Sequence, residues 1–134
     1  RKALLERGLP VEEALIAEGD FTENGGYYGT QKILPHNPDA IFAASDVTAR
    51  GVMRAVREAG LRVPEDIAII GFDDLPNIAF TESQLTTVRQ PIGPFGVRAV
   101  ETLMDLIENG ITPPRRIIMD TELVVRGSSG VSCR

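Results

Sequence analysis

The stretch Val63–Leu75, "VPEDIAIIGFDDL", decides how this chain is read. Ile67 to Phe72 form an unbroken apolar run that ends in two carboxylates, Asp73 and Asp74. A strand that is apolar at every position suits a place covered on both faces, as the strands of parallel sheets are. An acidic pair at its end either stops the strand in water or faces something that binds.

Working outward from this stretch, "DAIFAAS" (39–45) reads as a second strand. Between the two, "DVTARGVMRAVREAG" sets Val52, Ala55, Val56 and Ala59 on one helical face, with Gly60 closing the helix. Upstream, "EALIAEGD" (13–20) reads as a strand, and "FTENGGYYGTQKILP" as a helix opened by Thr22 and stopped at Pro35. Downstream, "LTTVRQ" (85–90) is a short β-branched strand, followed by a helix in "PIGPFGVRAVETLMDLIENG". Phe95, Ala99, Val100, Leu103, Met104 and Ile107 line the inner face of that helix, and Arg98, Glu101, Asp105 and Glu108 face water. "RRIIMD" and "TELVVR" read as two last short strands before a wandering Gly/Ser tail. Strands alternating with helices predict an α/β fold, a parallel sheet flanked by helices.

Composition narrows the function. The 134 residues suffice for one domain with its own core, and 43% hydrophobic with 25% charged residues is ordinary for a globular protein. No apolar run reaches the ~20 residues of a membrane span, and "RKALLERGLP" leads into no signal-peptide apolar region. The net charge is −5 and the largest basic cluster is the pair Arg115–Arg116, so these residues alone carry no face for gripping a phosphate backbone. The single cysteine, Cys133, excludes an intrachain disulfide and fits a reducing cytosol. The single histidine, His36, lies in the turn-rich "LPHNPD", which removes most support for triads and multi-histidine metal sites. The acidic pair is also the mark of a phosphate-receiving switch, but that scheme needs a lysine at a later strand end, and the only lysines are Lys2 and Lys32. A non-enzyme without a cofactor is expected.

In open parallel sheets ligands bind beyond the carboxyl ends of the strands. Those ends offer Asp20 and Phe21, Ser45 and Asp46, Asp73 and Asp74, and Gln90. One aromatic face with several short acceptors and an amide suits a polyhydroxylated or heterocyclic small molecule. Each residue also has a structural use. Asp46 or Ser45 can cap the following helix, and Phe21 can pack instead of stacking. Gln90 can simply lead into the next helix. One member of the acidic pair can hold the next loop, because Asp73 and Asp74 point to opposite sides in a period-2 count.

"DAIFAASDVTARGVMRAVREAGLRVPEDIAIIGFDDLPNIAF", "QLTTVRQPIGPFGVRAVETLMDLI" and "ELVVRGSS" together resemble the C-terminal part of LacI/GalR-type bacterial transcriptional regulators. The resemblance runs from Arg1 to about Ser129. It implies a periplasmic-binding-protein-like core whose two lobes close on a small-molecule effector, in a cytoplasmic homodimer. Operator DNA is bound only through an upstream helix-turn-helix that these residues do not contain. The rival reading with the same fold is a periplasmic sugar-binding component of a transporter.

Carried over by motif, Phe21 is the aromatic that stacks on the effector, and Asp73 the acid that fixes a hydroxyl or ring nitrogen. Gln90 takes a cleft position near a lobe crossover. Ser45 takes a polar position that is often Asn in sugar-responsive members, a departure that removes a bidentate amide. Asp46 then reads as a helix cap and Asp74 as the anchor of the following loop. The implied dimer interface is Arg50, Arg54 and Arg57 with Ile78, Phe80 and Thr81.

The implied division places residues 1–90 in the C-terminal lobe and 91–120, a helix and a strand, in the other lobe. Residues 121–129 form a return strand, and 130–134 a disordered tail. The second lobe is therefore incomplete, which leaves Phe95, Leu103 and Met104 uncovered and makes the chain a piece of a longer one.

Overall fold

The computed structural model describes residues 1–76, 84–110 and 116–130. Its centre is a four-stranded sheet in the order β1 (Ala40–Phe42), β2 (Ala68–Asp73), β3 (Thr86–Arg89) and β4 (Glu122–Val124). β1, β2 and β3 are parallel, with Ile41 opposite Ile69 and Gly71 opposite Thr87, while β4 runs antiparallel to β3. Four helices accompany it: α1 (Lys2–Glu6), α2 (Glu23–Ile33), α3 (Asp46–Glu58) and α4 (Ile92–Asn109).

The core sits between the sheet and the α2–α3 pair. Ile33, Ile41, Val52, Val56, Ile67, Ile69 and Leu85 are buried together there. Full burial of one such side chain contributes about 1.5–3 kcal/mol. The two helices touch backbone to backbone. A Cβ on Gly26 would lie 2.1 Å from the Thr48 carbonyl oxygen, and one on Gly51 would lie 1.8 Å from the Glu23 carbonyl oxygen. Across the outer side of this seam the Arg54 guanidinium lies 4.0 Å above the Tyr27 ring, and Arg50 pairs with Glu23 at 3.2 Å.

The helix ends follow the sequence. The Thr22 hydroxyl accepts from the Gly25 N–H at 2.9 Å, and Gly60 follows α3 at φ +76°. Ala59, expected on the buried face, is exposed in the last turn beyond the sheet.

Three expectations change. Residues 13–20 form a 3₁₀ turn at Glu13–Leu15 and then unpaired chain, not a strand, and residues 116–120 likewise make no strand. In both places the apolar pattern is present but among the described residues no neighbouring strand supplies hydrogen bonds, and a strand without a ladder is not stable. The Gly/Ser tail does not wander before Gly130. Gly127–Ser129 is a 3₁₀ turn docked on the sheet, with Ser128 fully buried, its hydroxyl donating to the Ile69 carbonyl at 2.6 Å and accepting from the Thr86 N–H at 2.8 Å. Residues 131–134 lie outside the described residues.

α4 has no buried residue; Phe95 is 61% exposed and Ile107 is 68% exposed. Among the described residues, Ile117 and Met119 share a shallow hollow with Phe95, Leu103 and Leu106 of its apolar face. Among the described residues no helix is long and apolar enough to cross a membrane.

Candidate functional site

The carboxyl ends of β1, β2 and β3 carry the polar groups singled out in the sequence, and the structure divides their work. Ser45 is the N-cap of α3: its Oγ accepts from the Thr48 N–H at 3.1 Å and meets the Thr48 hydroxyl at 2.9 Å. It is buried, so the hydroxyl serves the helix.

Asp46 is not the cap. Its buried carboxylate accepts from the Thr87 hydroxyl at 2.7 Å through Oδ1 and from the Leu75 N–H at 3.0 Å through Oδ2. The reach across β2 is possible because Gly71 lies between them. A Cβ there would stand 2.5 Å from Asp46 Oδ1. Asp46 therefore ties the start of α3 to β3 and to the loop after β2. This is the anchoring role that the sequence had given to Asp74.

The acidic pair ends β2 at two consecutive positive-φ residues, Asp73 at +114° and Asp74 at +56°. This turn sends the carboxylates to different partners. Asp73 Oδ1 accepts from the Gln90 side-chain amide at 2.7 Å, so these two candidate residues are in direct contact. Asp74 accepts from Arg89 Nε at 2.7 Å and from an Arg126 Nη at 2.6 Å. Burial pushes the Asp74 carboxyl up, but the hydrogen bonds and charges of Arg126 and Arg89 outweigh it and hold it below the ordinary carboxylate value. Arg89 also reaches Glu122 at 3.0 Å, and Arg126 donates to the Leu85 carbonyl at 2.8 Å. The clamp thus spans β2, β3 and β4.

Phe21 stands apart from this group. Asp20 Oδ1 accepts from both the N–H and the hydroxyl of Thr22, at 3.0 and 2.6 Å, and these bonds, the hydroxyl's first, hold its carboxyl below the ordinary value. The turn puts Phe21 at φ +60°, a strained setting for an aromatic residue, and leaves the residue 67% exposed. Phe21 and Ala44 line a hollow beside β1, whereas Gln90 lines another with Asp46, Asp74, Arg89 and Arg126. The structure joins Asp73 to Gln90, keeps Ser45 below the surface and does not bring Phe21 into the same hollow.

Of the implied dimer contacts, Arg50 and Arg54 are engaged by α2 and Glu58 of their own chain, and Arg57 is exposed. Ile78, Phe80 and Thr81 lie outside the described residues. The sequence reading missed Arg89 and Arg126. Their signal was an arginine near the end of each of the two stretches "LTTVR" and "LVVR", whose other residues are apolar or β-branched. Among the described residues no group of three or more His, Cys, Asp and Glu side chains is placed to hold a metal ion.

Parallel strands with helices packed on them and polar side chains at their carboxyl ends define an α/β fold of the class in which ligands bind beyond those ends. The chain belongs to the periplasmic binding protein-like domain family, whose model matches residues 1–129. It is 41% identical over 124 residues to the HTH-type transcriptional regulator reg1 of Streptomyces lividans, covering 92% of this chain and 36% of that protein. The solved structure of a complex of the transcriptional regulator CelR with cellobiose superposes with a TM-score of 0.90 at 37% identity, over 96% of this chain and 40% of that one. A lac repressor dimer bound to operator and the anti-inducer ONPF gives a TM-score of 0.83 at 30% identity, over 95% and 44%. The resemblance to LacI/GalR-type regulators read in the sequence is thereby shown. The chain spans roughly two fifths of the length of these relatives.

Proposed function

We propose that these residues are the effector-sensing part of a cytoplasmic transcription regulator whose helix-turn-helix lies elsewhere in its polypeptide, and that they act by binding and not by catalysis. The observation that carries this reading is the Asp73–Gln90 contact at the carboxyl ends of β2 and β3. A ligand hydroxyl entering there donates to the carboxylate and accepts from the amide, exchanging one internal hydrogen bond for two to the ligand. The effector is therefore rich in hydroxyls or ring N–H groups, of sugar or nucleoside type, and cellobiose bound to CelR is consistent with this class.

In the same proposal residues 1–90 and 121–129 belong to one lobe. α4 and the segment up to residue 120 belong to a second lobe, of which these residues supply only part; that α4 buries no residue supports this division. Phe21 then stacks on the ligand once the lobes close, and Ser45 contributes through its cap of α3. The homodimer forms through the α3 surface bearing Arg50, Arg54 and Arg57 together with Ile78, Phe80 and Thr81. Operator binding is left to the other part of the protein.

A thermal-shift screen of the chain against sugars, sugar phosphates and nucleosides tests this. A ligand at ~100 times its Kd stabilises the fold by about 2.7 kcal/mol. The expected result is a hit that disappears in Asp73→Ala and weakens in Gln90→Ala. A hit indifferent to both substitutions would overturn the site.

A further inference from the structure

β2 ends in a turn that its own residues do not favour. Asp74 at φ +56° sits in the left-handed well that aspartate tolerates, but Asp73 at φ +114° lies outside even that well. Such backbone persists only where the surroundings impose it. The β2–β3 ladder runs up to this point, with Asp73 opposite Arg89 and the Gln90 N–H donating to the Asp73 carbonyl at 3.3 Å. There the Asp73 carboxylate accepts from the Gln90 side-chain amide at 2.7 Å. Relaxation to ordinary extended backbone would swing the Asp73 side chain relative to β3, and that contact would break.

Asp74 is the residue through which the turn is held. Each of its carboxylate oxygens is taken by a different arginine: Oδ2 accepts from Arg89 Nε at 2.7 Å and Oδ1 from Arg126 Nη2 at 2.6 Å. Each arginine is held in its turn. Arg89 also donates to Glu122 at 3.0 Å, while Arg126 donates to the Leu85 carbonyl at 2.8 Å and, through its backbone N–H, to the Thr86 hydroxyl at 2.8 Å. Supporting hydrogen bonds of this kind are what fix the geometry of a binding group. The remaining tie, from the Leu75 N–H to Asp46 Oδ2 at 3.0 Å, lies beyond the turn and fixes where the chain goes next.

We infer that Arg89 and Arg126 are positioning residues of the ligand site. By gripping Asp74 from β3 and from just past β4, they keep the strained turn that aims the Asp73 carboxylate at Gln90. The inference rests on the reading of Asp73 and Gln90 as the ligand contact. It gives the clamp a task other than stability, to which exposed ion pairs contribute little; the side chains of Arg89 and Glu122 are 48% and 69% exposed. It also accounts for two aspartates in succession: one carboxylate holds the backbone and the other faces the ligand.

The test uses the 134-residue chain and reads the Asp73–Gln90 contact directly, as the NMR cross-peak between the Gln90 side-chain amide and the Asp73 β-protons. Asp74→Gly suits the positive-φ backbone and removes the grip. It should stay folded and lose the cross-peak. Arg89→Gln should weaken the cross-peak, and Arg89→Lys, which keeps a cation there, should restore part of it. If Asp74→Gly fails to fold, the two Arg89 variants decide. A role in stability alone would lower the urea midpoint and leave the cross-peak of the folded protein at full strength in every variant, which would overturn the inference. So would its absence from the unsubstituted chain. Cellobiose is the ligand probe. Where it raises the Tm of the unsubstituted chain, Asp74→Gly should lose the rise as Asp73→Ala does; a rise kept while the cross-peak is lost would overturn the positioning role. No rise with the unsubstituted chain counts against the reading of the ligand site for this sugar, and the cross-peaks then decide the positioning by themselves.

Discussion

α3 and α4 are both amphipathic helices with a clear apolar stripe, and their surroundings could hardly differ more. α3 buries Ala49, Val52, Ala55 and Val56 against β2 and α2, whereas every apolar side chain of α4 is exposed. Helical periodicity states which face seeks cover, and it does not state whether cover exists within the same chain. The α3 half of the molecule has a closed core; the α4 arm has a face awaiting one. Contiguous exposed apolar faces of this kind mark interaction surfaces.

The contrast can be broken or sharpened by substitution. The largest effect is expected at Ile69, fully buried between the sheet's neighbours. Ile69→Ala should lower unfolding stability by about 2–5 kcal/mol in urea denaturation. Next comes Asp46→Ala, which strands the Leu75 N–H and the Thr87 hydroxyl and should cost about 1–3 kcal/mol. The slope with urea should not change, since no surface is newly exposed.

A smaller effect is expected at the Asp74 clamp, and it depends on pH. The folded-state value of Asp74 lies below its unfolded value, so its contribution is full above the unfolded carboxylate value near 3.8 and is lost as pH falls through the folded one. Arg126→Gln removes one of the groups that lower it. The acid-unfolding midpoint should then move upward, with the Asp74 carboxyl titrating higher by NMR. An unchanged midpoint would mean that Arg89 alone holds the carboxylate.

The smallest effect belongs to α4. Leu103→Ala should change stability by no more than about 0.5 kcal/mol, because the side chain is exposed. A cost as large as that of Ile69→Ala would show that α4 is covered in solution, and the contrast between the two helices would fall.

Much of the site was legible residue by residue. The apolar run ending in Asp73 and Asp74 gave β2 and its polar tip. The two carboxylates do take different partners, Gln90 for Asp73 and two arginines for Asp74, but the positive-φ turn separates them and not the period-2 alternation expected from the sequence. Thr22 as the cap of α2 was readable from its place before a helical pattern. The exchange of roles between Ser45 and Asp46 was not readable. Either can cap a helix, and only the open space above Gly71 lets Asp46 reach Thr87 instead. The buried Ser128 was hidden for a similar reason: "RGSSG" has the composition of a loose tail, and its hydroxyl matters only where the Ile69 carbonyl and the Thr86 N–H happen to meet it.

By itself the sequence determined the succession of α2, β1, α3, β2, β3 and α4, the apolar stripes of α3 and α4, the Thr22 cap of α2, and the carboxyl-end residues from which a binding site could be drawn. These are local matters, set by periodicity, by turn chemistry and by which residues can accept a hydrogen bond from a helix end. The tertiary structure decided which apolar faces are covered, which strand-patterned segments become strands, and which carboxylate meets which donor. Those outcomes depend on groups far apart in the chain arriving within a few ångströms of one another, and a strand or a helix face is completed only by the neighbour that reaches it.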